Sequence, residues 1–193
     1  MRYDIDSENG ETLHEFMGTP DPNAAYYIGT VYEGAAFVGF SEGDGETLWT
    51  CDLESGETAE LKDHVFIRER SGDYVIATDQ NGLSAYDTWQ ADIYQLSDSG
   101  LNHVKGLGSN ISVCMDTING KFCYASCTDK NARDVTLYRC NSDGSDEETL
   151  AHFTSENDNS ILVEKFAEAY CLVRLDGTLY KYFYDTGETI TIE

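Results

Sequence analysis

Five stretches of this chain read alike, and their spacing limits the possible fold more than any other feature. They are Tyr3-DIDSENGETLHEF, Trp49-TCDLESGETAEL, Tyr94-QLSDSGLNHVKGL, Tyr138-RCNSDGSDEETLAHF and Tyr180-KYFYDTGETITI. Each opens on an aromatic residue, runs as a short strand, turns through a glycine and resumes as a second strand. The turn glycines Gly10, Gly56, Gly100, Gly144 and Gly187 lie 46, 44, 44 and 43 residues apart, and the leading aromatics 46, 45, 44 and 42. Two landmarks held in step over five copies mark an internal repeat, and a chain built on one must bury its core between neighbouring copies.

The segments between copies carry a second pattern. An apolar run comes first: Ala25-YYIGTVY, His64-VFIRER, Ile111-SVCMDTI and Ile161-LVEKFA. A tight turn follows, at Glu33-Gly34, Ser71-Gly72, Asn119-Gly120 and Glu168-Ala169, and then a second run, Ala36-FVGFS, Tyr74-VIATD, Phe122-CYASC and Tyr170-CLVRL. Asn-Gly between two apolar runs is a hairpin signal, because both central residues of a type I′ turn need positive φ. No segment shows a 3.6-residue apolar period, so no helix is expected. Each repeat therefore reads as four short antiparallel strands. At this period that predicts an all-β chain of β-propeller blades. A β-helix would repeat at a shorter spacing, and an immunoglobulin-like sandwich would not repeat internally.

Charge and composition remove several functions. Twelve Lys and Arg against 36 Asp and Glu leave a net charge of −24, which argues against nucleic-acid binding and against a polybasic membrane surface. Hydrophobic residues make up 40% and aromatics 12%, with 13 tyrosines, too rich for a disordered acidic chain. No window approaches the length of a membrane-spanning helix, and MRYDIDSENG carries no apolar core of a signal peptide.

The run Leu137-Tyr138-Arg139-Cys140-Asn141-Ser142-Asp143-Gly144-Ser145 resembles the repeats of TolB-like and YWTD-like bacterial propellers and their relatives of unknown function. Those repeats carry an aliphatic–Tyr–Arg–x–x–x–Asp–Gly–Ser run across the two outer strands. The other copies here show Ser-Gly or Thr-Gly followed by Glu-Thr. The resemblance spans the chain as architecture and carries no catalytic motif. It implies binding or scaffolding, often in the cell envelope or secreted. With strands lettered A to D from the channel outward, residues 1–18 supply strands C and D of a half blade, and blades follow at 24–62, 63–108, 109–157 and 158–193. About four and a half blades are expected, as a segment of a larger propeller of roughly six to eight.

Residues with chemistry are sparse. The six cysteines are expected as buried thiols: Cys51 and Cys140 occupy matching positions, Cys123 and Cys171 likewise, and Cys123 and Cys127 sit too far apart on one strand to bridge. No Cys-x-x-Cys pair exists for zinc, and the acidic run from Asn141 to Glu148 breaks the EF-hand register, so it reads as an exposed turn. No metal, cofactor or catalytic residue is assigned. What remains is the loop face where D-to-A and B-to-C connections emerge. Asp63, His64, Asn110 and Asp158 fall on the first kind, and Tyr86 and Trp89 on the long loop Asp79-QNGLSAYDTWQ-Ala91. These six are the candidate binding residues, for a protein or a small polar or carbohydrate ligand. The leading expectation is a non-catalytic binding module. The alternative is a propeller-type glycoside hydrolase or lyase using Asp63 and Asp158 with His64. A structural or sensory domain without a bounded site is the third reading.

Overall fold

The computed structural model describes residues 2–4, 9–11, 25–42, 45–63, 65–79, 88–97, 100–128, 132–155 and 160–192. Every regular element among them is a strand. A short hairpin pairs β1 (Arg2–Asp4) with β2 (Asn9–Glu11). The first four-stranded sheet runs β3 (Ala25–Tyr32), β4 (Ala35–Glu42), β5 (Gly45–Asp52) and β6 (Thr58–Asp63), each antiparallel to the next. The next run is β7 (Val65–Ser71), β8 (Tyr74–Asp79), β9 (Thr88–Ser97), β10 (Gly100–Ile118), β11 (Lys121–Cys127), β12 (Asp134–Asn141) and β13 (Glu148–Thr154), hydrogen-bonded in that order. The last sheet is β14 (Leu162–Phe166), β15 (Tyr170–Leu175), β16 (Thr178–Phe183) and β17 (Thr189–Thr191).

The seven-stranded run is two four-stranded sheets sharing one long strand. β10 follows β9 as the outer strand of one sheet, and from Ile111 to Ile118 it pairs with β11 as the inner strand of the next. Gly106 and Gly108, the latter at φ 105°, lie where the strand passes from one role to the other. The described architecture is thus four four-stranded antiparallel sheets, the all-β blade pattern that the repeat predicts.

The turns follow from their residues. Asn119 (φ 51°) and Gly120 (φ 75°) form the two-residue link expected between β10 and β11, closed by the Ile118–Lys121 pair. Gly56, Gly144 and Gly187 turn the outer hairpins at φ 75°, 79° and 69°. At Gly144 a methyl group would sit 2.7 Å from Lys105 Cδ and 3.1 Å from Ile93 Cδ1, so this glycine also admits a neighbouring strand.

Two compact units divide the chain: Met1–Ile67 with Leu96–Leu101, and Arg68–Gln95 with Asn102–Glu193. In the second unit the cores lie between successive sheets. Ile76, Ala91 and Ile93 pack on Ile111, Met115, Phe122, Tyr124 and Cys140. On the far side of that sheet, Cys123, Ala125, Val135 and Leu137 pack on Val163, Phe166, Cys171 and Val173. Strand alternation thus sends odd residues of β11 to one neighbour and even residues to the other, and each fully buried large side chain contributes about 1.5–3 kcal/mol.

Two expectations about register are corrected. Counted from the turns, Lys121 matches Tyr170, so Phe122 rather than Cys123 corresponds to Cys171: Thr117 pairs with Phe122 and Phe166 with Cys171. A one-residue offset reverses the face, so Cys123 and Cys171 point into one shared core from opposite sides. Cys51 and Cys140 do match, opposite Ala36 and Phe122. Trp49, Tyr138 and Tyr180 also share a position, opposite Val38, Tyr124 and Val173. Tyr94 instead pairs with Val75, the place Cys140 takes against Phe122, because β9 runs two residues further before its turn. A two-residue shift keeps the face and lengthens the hairpin end.

Candidate functional site

The hairpin joining β5 to β6 is organised by one carboxylate. Asp52 Oδ1 accepts hydrogen bonds from Ser55 N (2.6 Å), Ser55 Oγ (2.9 Å) and Glu54 N (3.0 Å). The Ser55 backbone and hydroxyl bonds, then that from Glu54, hold the Asp52 carboxyl below its ordinary range. The backbone closes behind it through Gly56 N to Asp52 O and Asp52 N to Glu57 O, both 2.9 Å. This is an Asx-type turn, the reason an Asp-x-x-Ser-Gly string folds as it does.

Beside this hairpin, and within the first unit, lies a cleft of about 280 Å³. Thr50, Asp52 and Glu57 line one part of it, Leu61 and Ala59 of β6 another, and Ser97 and Gly100 of the extended β9–β10 end the remainder. Thr50 Oγ1 donates to Ala59 O at 3.4 Å and Ser97 Oγ to Gly100 O at 3.2 Å. With its proton directed at a carbonyl, the Thr50 hydroxyl keeps lone pairs for a guest. Two carboxylates add acceptors, and no lining residue is Lys, Arg or His. Gly100, at φ 118°, leaves room that a methyl group would take, 2.9 Å from Leu61 Cδ2. The lining chemistry suits a cationic or donor-rich group.

A second constellation sits in the second unit. Lys105 Nζ donates to Glu147 Oε2 (2.8 Å) and Gly144 O (2.9 Å), and Tyr124 Oη donates to the same Glu147 oxygen at 2.5 Å. Tyr124 is 2% exposed and stacks on Tyr138 with ring centroids 5.4 Å apart. Burial first, then the bond to Glu147, push the Tyr124 phenol far up. Burial also pushes the Glu147 carboxyl up, but the hydrogen bonds from Lys105 and Tyr124 outweigh it and leave it below the usual range. The oxygen already holds two donors, so the group acts as a tie between sheets.

The inner strands carry two more carboxylates, each engaged with the next sheet. Glu69 Oε2 accepts from Thr117 Oγ1 at 3.0 Å and Asp116 Oδ2 from Phe166 N at 2.8 Å. Desolvation raises the Glu69 pKa against the lowering effect of Thr117. Five cysteines are buried and Cys114 half-buried, all as free thiols. Among the described residues no group of three or more His, Cys, Asp or Glu could hold a metal ion.

The sequence-predicted residues are placed only in part. Asp63 ends β6, backbone-paired with Thr47, and Asn110 lies within β10, but nothing of their side chains is described. His64, Tyr86 and Asp158 fall outside the described residues. Trp89 belongs to β9, which begins at Thr88, rather than to the loop, and its side chain is likewise not described. The cleft was not anticipated. It lies by the β5–β6 turn, at the opposite end of that sheet from the β4–β5 connection and Asp63. Its sequence signal was the acidic Asp-Leu-Glu-Ser-Gly-Glu turn, which also reads as ordinary hairpin vocabulary.

No protein-family model matches this sequence, and no curated protein matches it. Solved structures do. An uncharacterized protein, lmo1340 from Listeria monocytogenes EGD-e, aligns over 90% of this chain and 56% of its own, with a TM-score of 0.53 and 7% identity. Oligogalacturonate lyase from Vibrio parahaemolyticus aligns over 98% of this chain and 58% of its own, at TM-score 0.50 and 14% identity. TolB from Acinetobacter baumannii aligns over 99% and 48%, at TM-score 0.48 and 13% identity. The chain spans a little over half the length of the first two. At these identities the likeness to the first two concerns fold alone, and with the strand order it makes the architecture a β-propeller type. Among the described residues no helix is long and apolar enough to cross a membrane.

Proposed function

We propose that this chain is a non-catalytic binding module for a cationic, protein-type partner. The observation that carries the reading is the cleft of about 280 Å³, where Asp52, Glu57 and Thr50 present acceptors and Ser97 completes the lining. A lysine or arginine side chain fits that lining in sign and in hydrogen-bond character. The surrounding charge of −24 favours the encounter with such a partner. The loop face of Asp63, His64, Tyr86, Trp89, Asn110 and Asp158 remains a proposed second contact for the same partner, with the aromatics as anchors.

The test is a titration of lysine- and arginine-containing peptides, followed by calorimetry and by amide chemical shifts. Binding that weakens with salt, shifts the Thr50, Glu57 and Ser97 amides and falls at least about tenfold in Glu57→Lys supports the reading. Peptides that shift none of these amides overturn it.

A further inference from the structure

The repeat sets two glycine contacts in register, and one of them is an internal template for the cleft. Gly100 and Gly144 are turn glycines of successive outer hairpins, 44 residues apart, and Leu61 and Lys105 stand on outer strands at the same spacing. A methyl group on Gly144 would sit 2.7 Å from Lys105 Cδ and 3.3 Å from its Cβ, and one on Gly100 would sit 2.9 Å from Leu61 Cδ2. Each glycine thus lets a side chain from an outer strand lie across its Cα. At one place that side chain is a lysine, at the other a leucine.

In the second unit the lysine fills its place. The stem of Lys105 runs over Gly144, and Nζ donates to Gly144 O at 2.9 Å and to Glu147 Oε2 at 2.8 Å. In the first unit Leu61 ends in methyl groups, and Gly100 O accepts from Ser97 Oγ at 3.2 Å. The half-buried Leu61 and Thr50 and the exposed Asp52 and Glu57 line the cleft together. An apolar wall beside a glycine and carboxylate acceptors are thus common to both places, but the lining of the cleft contains no cation of its own.

The acceptors also favour an ammonium over a guanidinium. Asp52 Oδ1 already receives Ser55 N, Ser55 Oγ and Glu54 N, so this carboxylate has one oxygen left to offer. A guanidinium binds best as a fork onto both oxygens of one carboxylate. An ammonium is a compact charge whose three donors reach separate acceptors, and Asp52, Thr50 and Glu57 are separate acceptors. We infer that the cleft is a lysine site: a partner's lysine lays its stem along Leu61 and Gly100 and directs its ammonium to Asp52, Glu57 and Thr50, taking the part that Lys105 plays in the second unit. This rests on the proposed reading of the cleft as a cation site and narrows it to a primary ammonium on an unbranched stem.

The test titrates three blocked peptides into the intact chain: acetyl-GGKGG-amide and its counterparts with arginine or Nε-acetyl-lysine at the centre. Binding is followed through the amide shifts of Thr50, Glu57 and Gly100. The lysine peptide should bind at least about fivefold tighter than the arginine peptide, and acetylation should remove the response. Equal affinities or an arginine preference overturn this inference alone. Binding that survives acetylation, or no response to lysine and arginine alike, overturns the cation reading beneath it as well. Leu61→Lys supplies the ammonium from within the chain. It should weaken the lysine peptide at least about tenfold and melt above Leu61→Gln, by a margin that shrinks in high salt. A Leu61→Lys chain that melts no higher than Leu61→Gln, or that binds the peptide as before, overturns the lysine site.

Discussion

Glu147 and Glu69 are both carboxylates facing a neighbouring sheet, yet their surroundings push them in opposite directions. The bonds from Lys105 and Tyr124 outweigh burial at Glu147 and lower its pKa. Its contribution to stability is therefore present above the ordinary carboxylate value and is lost as the pH falls through the lowered one. Glu147→Gln is expected to cost about 1 kcal/mol at neutral pH, since only the charge assistance of those bonds is removed, and the deficit should fade in acid. At Glu69 desolvation dominates and raises the pKa. Its contribution is full below the ordinary value and is lost as the pH rises through the raised one. Glu69→Gln keeps an acceptor for Thr117 and should be neutral or stabilising at neutral pH, losing that advantage in acid. Urea titrations of both variants from neutral to acid pH check the pair: deficits of the same sign and the same pH trend would contradict the assignment.

At the scale of the element, the hairpins owe their form to residues that tolerate positive φ. The β10–β11 link holds Asn119 at φ 51° and Gly120 at φ 75°. Asn119→Ala should destabilise by about 1 kcal/mol, because alanine gains nothing in the left-handed region, whereas Asn119→Gly should be close to neutral. Thermal melts of the two variants decide it; equal losses would mean that the side chain rather than the backbone matters. This turn was legible because Asn-Gly between apolar runs has few alternatives. The extension of β9 was not, since moving a hairpin by two residues leaves every side chain on its original face and the hydrophobic pattern unchanged. The offset between Cys123 and Cys171 escaped for a related reason. Two short apolar runs can be aligned either way until hydrogen bonds to the preceding turn choose between them.

At the scale of the molecule, stacked sheets explain where the thiols lie. Burial pushes Cys123 and Cys140 up to about 11 and Cys114 and Cys171 up to about 12. A thiol-specific disulfide reagent at neutral pH should therefore modify at most one cysteine quickly, Cys114 being the half-buried one, and all six only after denaturation. Rapid reaction of three or more in the native chain would refute the packing described. The acid excess also takes on a location: much of it sits in repeated outer turns such as Asp52–Glu57 and Asp143–Glu148, solvated and engaged with local donors.

The sequence alone determined that this is an all-β repeat of four-stranded sheets, because periodic turns and alternating apolar runs are local properties that one chain displays in order. Its net charge of −24 also argues against nucleic-acid partners. Only the tertiary structure decided which acids serve as ties between sheets, and that Asp52, Glu57, Thr50 and Ser97 share one cleft. Those outcomes depend on which side chains meet across sheets distant in sequence. That is set by one-residue choices of register, to which composition and period are blind.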